Sequence, residues 1–378
     1  MNKKQLTTWE AACIITGYGL GAGVLTMPWL AQKNGLIVST LILMVSLFAS
    51  YLLHLMIAEL TVQNGNSGQV IQCLSRFLWR GRLKNVFTVL FFVLMAGILM
   101  TNLAAYIDGA AEVMVGLAPL APLAAKLVFY AVAALVVLFG LKAVGISESL
   151  AVTVIFVMVA LLGAASLLRI RNPLPMAPGS VGQALAYYGM AMFAMAAFFS
   201  VPQAVEGLGG DLKKVKKAVF LGLFNNFILI LVITVCALLA SQEVTQVAMV
   251  GWSRGIGMWA QVIGSLFTVL AMLTTYWSLS LALGEMVCDM LKISSRLAWL
   301  LATAPSLVLA LLNLGGFFSL MRTAGGLIAI VVSVMVVPAY HNASRECGGN
   351  KLLRSSRVME YGVIAAYVLM AVGSVVQV

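Results

Sequence analysis

The chain has 378 residues, 62% of them hydrophobic and 9% charged, with 23 Lys and Arg against 12 Asp and Glu. A soluble protein carries roughly 25% charged residues, so this chain cannot coat a water-facing surface, and its mean hydropathy of +1.05 agrees. Soluble enzymes, disordered chains and disulfide scaffolds are excluded, and so is a transmembrane β-barrel, whose strands alternate polar and apolar residues. What remains is an all-α polytopic membrane protein.

Long apolar runs of about 20 residues or more mark spanning helices. Eleven are expected, near Trp9–Leu30, Leu36–Val62, Val86–Leu117, Ala124–Leu141, Leu150–Leu168, Ala184–Val205, Ala218–Ala240, Gly257–Met290, Leu297–Leu314, Phe317–Ala339 and Val358–Val376. The third and eighth exceed what a bilayer requires, which implies tilt or extension beyond it. Polar, Gly and Pro clusters such as Asn64-Gly65-Asn66-Ser67-Gly68 and Asn172-Pro173-Leu174-Pro175 separate them. No linker has room for a soluble domain, so residues 1–378 are expected to form one membrane domain. The first run continues into Gln32-Lys33-Asn34 without a cleavage site and is taken as a span, not a removed signal peptide. Cys13, Cys73, Cys236, Cys288 and Cys347 show no CxxC or metal-ligand spacing, so neither a disulfide nor a zinc site is expected.

The net charge of +11 resolves by position. With the N-terminus inside, the cytoplasmic segments hold Lys3, Lys4, Arg76, Arg80, Arg82, Lys84, Lys142, Lys213, Lys214, Lys216, Lys217, Lys292, Arg296, Arg345, Lys351, Arg354 and Arg357. Only Lys33, Lys126, Arg169, Arg171, Arg254 and Arg322 fall outside or within the membrane. This asymmetry follows the positive-inside rule, placing the N-terminus in the cytoplasm and the C-terminus outside, in a bacterial inner (plasma) membrane. The basic run at 213–217 then marks topology, and no nucleic-acid partner is expected.

Two runs are interrupted. The first contains Gly17-Tyr18-Gly19-Leu20-Gly21-Ala22-Gly23 and then Pro28. Glycine at every second position opposes helix propagation, although the two overlapping GxxxG pairs also suit close helix packing. The sixth, from Tyr187 through Gly189 to Phe199-Ser200-Val201-Pro202, is its counterpart. These are the first helices of two successive groups of five, and an odd group length inverts the second group in the membrane. Paired broken helices in inverted repeats point to a transporter's midplane site. The first repeat is expected at about 9–169 and the second at about 184–339, with an extra helix at about 358–376.

The stretch from Gly19 through Gly21, Gly23, Thr26 and Pro28 to Gln32-Lys33-Asn34-Gly35 resembles the first-helix signature of the amino acid/auxin permeases, of the amino acid–polyamine–organocation superfamily. Val201-Pro202 to Gly209-Gly210-Asp211 and the basic run to Lys217-Ala218 is similar to the end of their sixth helix and the loop after it. The hydroxy/aromatic amino acid permeases share a similar opening. The resemblance implies a five-plus-five inverted repeat of the leucine-transporter type, with cation-coupled amino acid uptake by alternating access. It also implies a sodium site in which carbonyls of Gly17, Leu20 and Ala271 join the hydroxyls of Thr274 and Thr275. Such neutral oxygens suit a hard cation, though Thr in a membrane helix also back-bonds to its own helix. Proton coupling is the alternative. Some proton-coupled relatives carry a lysine on the fifth helix, and Leu150–Leu168 has none. His54, alone in the second run, is read either as a proton relay or as a satisfied interior residue. No cofactor beyond Na⁺ or H⁺ is implied.

Substrate contacts are expected from Tyr18, Gly19, Gly21, Ala22, Gly23, Asn102, Tyr106, Phe193, Ala194, Met195, Ala196, Ala197 and Thr275. Charge inside a membrane is costly, and Asp108 and Arg322 both fall roughly 8–14 Å below the outer surface at 1.5 Å per residue. They are expected to form an outer gate, or else to snorkel separately to water. Glu59, Glu206, Glu285 and Asp289 lie near inner ends, beside cytoplasmic Lys and Arg. An intramembrane enzyme would need a set such as HExxH or GxSxG, and His54-Leu-Met-Ile-Ala-Glu59 has the wrong spacing. A channel lacks its repeated pore motif here, and a sensor on the same fold is a remaining alternative.

Overall fold

The computed structural model describes residues 5–312, 317–348, 352–353 and 356–376, with the side chains of 22 and 317–331 outside the description. Among the described residues the chain is helical throughout. The first expected run is divided into α1 (Thr8–Gly19) and α2 (Ala22–Asn34), and the sixth into α8 (Val181–Ala194) and α9 (Ser200–Gly207). The others correspond to α3 (Leu36–Gln63), α5 (Lys84–Leu117), α6 (Pro122–Leu138), α7 (Leu141–Leu167), α10 (Leu212–Ala240), α12 (Met258–Leu291), α13 (Ser295–Leu311), α14 (Phe317–Glu346) and α15 (Arg357–Val375). Six described helices, α3, α5, α7, α10, α12 and α15, are long and apolar enough to cross a membrane, and the bent pair α1–α2 makes a seventh. With 17 residues each, α6 and α13 reach about 26 Å against a hydrocarbon core of about 30 Å.

Local signals set several starts. Thr7 and Glu10 form a capping box on α1, and Ser180 with Gln183 forms another on α8. Asp211 caps α10 by accepting from the amides of Lys213 (3.1 Å) and Lys214 (3.2 Å). The Lys214 amide, with the Lys214 side chain and the Lys213 amide, holds that carboxyl below the usual carboxylate range. Two short helices have no counterpart among the apolar runs. The first, α4 (Val70–Phe77), buries Val70, Ile71, Cys73, Leu74 and Phe77, and the second is α11 (Ala248–Ile256). The start of α7 also differs, at Leu141 instead of Leu150. Lys142 and Glu148 give that stretch the look of a linker, but both are engaged. The Lys142 ammonium lies 2.6 Å from Glu10 Oε2, and Glu148 accepts from Ser278 (2.8 Å).

At the centre, α1 packs against α10, α7, α12 and α9, while α2 packs against α8. Around them, α5 lies against α12, α13 and α14, and the last helix, α15, lies on α8 and α14. The α8–α15 contact is backbone on backbone. A Cβ on Gly373 would overlap the Leu185 carbonyl oxygen and come 3.0 Å from the Gly189 nitrogen. Tyr188 donates across this contact to the Ala366 carbonyl (3.0 Å). Replacing Gly373 with Ala must therefore push the two helices apart, at an overpacking cost of about 1–3 kcal/mol. The expected result is a lower thermal unfolding midpoint for the purified variant in detergent, and an unchanged midpoint would show the contact to be loose.

Candidate functional site

The first break falls at Leu20 and Gly21, where the axes of α1 and α2 diverge by 58°. The Leu20 amide still bonds to the carbonyls of Thr16 (3.2 Å) and Gly17 (3.3 Å). Both expectations for the glycine run are met, because the helix breaks and its glycines are also close contacts. A Cβ on Gly17 would overlap Glu148 Oε2, and one on Gly19 would overlap the Asn226 amide and lie 2.7 Å from the Ala194 carbonyl oxygen. At Gly21 it would overlap the Tyr106 hydroxyl, and at Gly23 it would lie 2.8 Å from Ala194 Cβ.

The second break, residues 195–199, lacks such glycines and is held from outside. The Ala197 amide donates to His54 Nε2 (2.8 Å), so Nδ1 carries the ring proton and donates to the Ser50 carbonyl (2.6 Å). The imidazole stacks on Phe198 with centroids 5.3 Å apart, and Phe198 in turn meets Tyr367 of α15 at 5.9 Å. His54 is thus a neutral, fully satisfied ring whose work is to position the break. Both of its nitrogens are occupied, which matches the interior reading and leaves no free site for a relay.

Between the breaks lies a cavity of about 30 Å³ lined by Tyr18, Gly19, Gly21, Gly23, Asn102, Tyr106, Phe193, Ala196, Phe198, Thr275 and Leu279. Of the expected contacts, Ala194 at the end of α8 and Met195 and Ala197 in the break do not line the cavity, and the Ala22 side chain lies outside the described residues. Phe198 and Leu279 were not expected. Neither was Asn226 of α10, fully buried against Gly19 with both amide atoms lacking a hydrogen-bond partner among the described residues. Its sequence signal is faint, a polar pair Asn225-Asn226 inside an apolar run.

Two vestibules flank the cavity along α5 and α12. One, of about 1010 Å³, is lined by Lys84 and Thr88 of α5 and by Ser280, Glu285 and Asp289 of α12. The other, of about 600 Å³, is lined by Gly109, Glu112 and Gly116 of α5 and by Gln261 and Thr268 of α12, with Arg254 of α11. No residue lines both a vestibule and the central cavity.

Beside the cavity, Ala271, Thr274, Thr275 and Ser278 share one face of α12 and meet α1. Thr275 donates to the Gly17 carbonyl (2.9 Å) and Thr274 to the Ala271 carbonyl (2.8 Å), with cross distances of 3.1–3.3 Å. Four members of the expected oxygen cluster are therefore together, whereas Leu20 has no described bond to it. One turn further, Ser278 bonds to Ile14 O (3.3 Å) and Glu148 Oε1 (2.8 Å). Glu148 was hidden by the late expected start of the fifth helix. Of the expected Asp108–Arg322 gate, only the Asp108 side is described. Asp108 Oδ1 lies 2.8 Å from the Lys126 ammonium of α6, which also donates to the Ala310 carbonyl (2.7 Å), while the Arg322 side chain lies outside the described residues. An acid deep in the membrane thus finds its cation on the neighbouring helix. Near the larger vestibule, Glu59 accepts from the Leu352 amide (2.6 Å) and Glu285 from Gln69 (2.5 Å).

No curated protein matches the sequence. The solved structure of MHP1, a nucleobase-cation-symport-1 family transporter in a closed conformation with bromovinylhydantoin bound, is similar at a TM-score of 0.67 and 11% identity, over 99% of this chain and 93% of that one. At that identity the likeness establishes the fold, which is of the leucine-transporter type. The sequence itself matches a family model over residues 4–378, and the chain belongs to the tryptophan/tyrosine permease family, membrane transporters.

Proposed function

We propose that this permease is a secondary active transporter that carries a neutral or aromatic amino acid together with a cation by alternating access, with substrate held between the two helix breaks. The observation that carries the proposal is the central cavity. It lies where both breaks meet and where α5 and α12 present Asn102, Tyr106 and Thr275. The half-helix N-terminus of α2, which begins at the break, offers a positive dipole end to a carboxylate. Behind Gly19, the buried Asn226 amide, without a hydrogen-bond partner among the described residues, adds polar character next to the cavity wall. An aromatic side chain suits the family description and the Tyr18, Phe193 and Phe198 walls.

Drug-sized ligands occupy pockets of about 300–1,000 Å³, so a cavity of about 30 Å³ must widen to admit substrate. The two vestibules in line with it supply the routes. The N-terminus and the larger vestibule face the cytoplasm by the distribution of basic residues. For the cation, the cluster at Gly17, Ala271, Thr274 and Thr275 would take Na⁺ if its hydroxyl protons turned away. Glu148 next to it favours H⁺.

Uptake into proteoliposomes of labelled tryptophan, tyrosine and phenylalanine, with imposed Na⁺ or pH gradients, tests the proposal. Accumulation above the outside concentration is expected under one gradient, and none under either would refute symport. Gly21→Val should abolish that uptake while leaving expression normal, since its side chain enters the cavity against Tyr106 and Thr275; undiminished uptake would place the substrate elsewhere. His54→Phe leaves the Ala197 amide unpaired, at about 1–3 kcal/mol. A lower unfolding midpoint and weaker substrate binding are expected, and no change in either would deny His54 its positioning role.

A further inference from the structure

We propose that Glu148 is the group on which the coupling proton rides, and that its neutral carboxyl seats α1 against α7 and α12. The inference deepens the transport proposal, on which it rests. Glu148 is fully buried in the middle of the bundle. Its Oε1 accepts from Ser278 (2.8 Å), and its Oε2 has no hydrogen-bond partner among the described residues. No Lys, Arg or His among them pairs with it. A buried carboxylate needs a cation or several donors to be tolerated, and one hydroxyl is neither. A carboxylic acid fits this environment.

The groups around it bear this out. On α1 the titratable neighbour is the Cys13 thiol, and the Glu10 carboxylate lies further towards the chain start, already neutralised by Lys142 of α7. Titratable groups on the other helices packed against α7 are occupied elsewhere. Tyr276 of α12 bonds to Ser306, and Tyr130 of α6 to Thr303. Lys126 of α6 pairs with Asp108, and Glu285 of α12 holds Gln69. Asp289 of α12 and Glu206 of α9 line the larger vestibule, and Arg254 of α11 lines the smaller. On α10, Lys213, Lys214, Lys216 and Lys217 stand at its exposed start, and Cys236 packs near Gly163.

The contact between Glu148 and α1 has no slack. Oε2 lies so close to Gly17 that a Cβ there would overlap it. The neighbouring hydroxyls are already spent on the Gly17 and Ala271 carbonyls. Gly17 therefore reads the state of Glu148 by contact. With the proton bound, α1 rests on the acid. When the proton leaves to water in the larger vestibule, whose lining includes Leu141, Lys142 and Ser280, the carboxylate draws in water and the α1 contact loosens. The proton enters from water on one side and leaves to water on the other, with no other bond made or broken.

The test uses the full chain, wild type and Glu148→Gln, in liposomes. Infrared difference spectra between mildly acidic and mildly alkaline buffer should show a protonated-carboxyl band in the wild type that Glu148→Gln lacks. Glu148→Gln should also lose pH-driven accumulation of aromatic amino acids and retain counterflow that no longer varies with pH. The proposal is overturned if no band depends on Glu148, if Glu148→Gln accumulates substrate as the wild type does, or if wild-type accumulation follows Na⁺ and ignores pH. Should the wild type show no counterflow, the transport proposal fails, and the infrared band alone still decides whether Glu148 holds a proton. If Glu148→Gln does not fold, Glu148→Asp should keep coupling with a displaced pH profile and a shifted band, and an unaltered profile and band count against the proposal.

Discussion

A helix broken in a bilayer exposes backbone groups that no lipid can satisfy, and the arrangement around the two breaks follows from that constraint. Each break recruits polar groups from helices distant in sequence. The Ala197 amide takes His54 of α3, and the Gly17 carbonyl takes Thr275 of α12. The Ile14 carbonyl takes Ser278 of α12. The helices that must surround the breaks are thereby fixed, and the cavity between them lies where satisfied backbone leaves off. Polar residues on otherwise apolar helices are costly, and His54 and Thr275 are two that serve a break.

This explains which parts of the molecule could be read in one dimension. The helical class and the run order follow from composition, and the first break follows from glycines at 17, 19, 21 and 23. Most of the residues lining the central cavity lie at or beside the two breaks. Asn226 and Glu148 escaped because their meaning lies in contacts across the bundle, with Gly19 and with Gly17 and Ser278. A charged residue near an expected helix end looks like linker until its partner is known, which is why α7 was started late. For Asp108 the ion pair that is described, with Lys126 of α6, depends on how two helices pack, which depth in the membrane does not reveal. The sixth break carries no glycine at 195–199 and was legible only through its flanks, Gly189 and Pro202.

The cavities add a directional element. Along α5 the linings pass from Thr88 through Asn102 and Tyr106 to Gly109 and Gly116, a path of about 42 Å at 1.5 Å per residue. Along α12 they pass in the opposite sense, from Gln261 through Thr275 to Asp289. Two antiparallel helices thus bound all three spaces, and on the proposed route a substrate stays against them throughout. The broken helices touch the central space, and in the proposed transport cycle opening is a movement of α1–α2 and α8–α9 against α5 and α12.

The glycine spacing shows why a small event at one residue can be felt by that movement. On a helix, positions four apart share a face, and positions two apart lie on nearly opposite faces. Although the break separates them, Gly17 and Gly21 meet Glu148 of α7, Tyr106 of α5 and Thr275 of α12. Gly19 and Gly23 meet Asn226 of α10 and Ala194 of α8. The first helix is therefore a thin wall between two groups of helices, in contact on both sides with no methyl group's width to spare. Close-packed interiors do not deform continuously, and a sub-ångström displacement at one contact is passed on as a switch between packings. The Glu148 contact at Gly17 and the Asn226 contact at Gly19 are thus separated by a single backbone, and the same backbone lines the central cavity at Gly19 and Gly21.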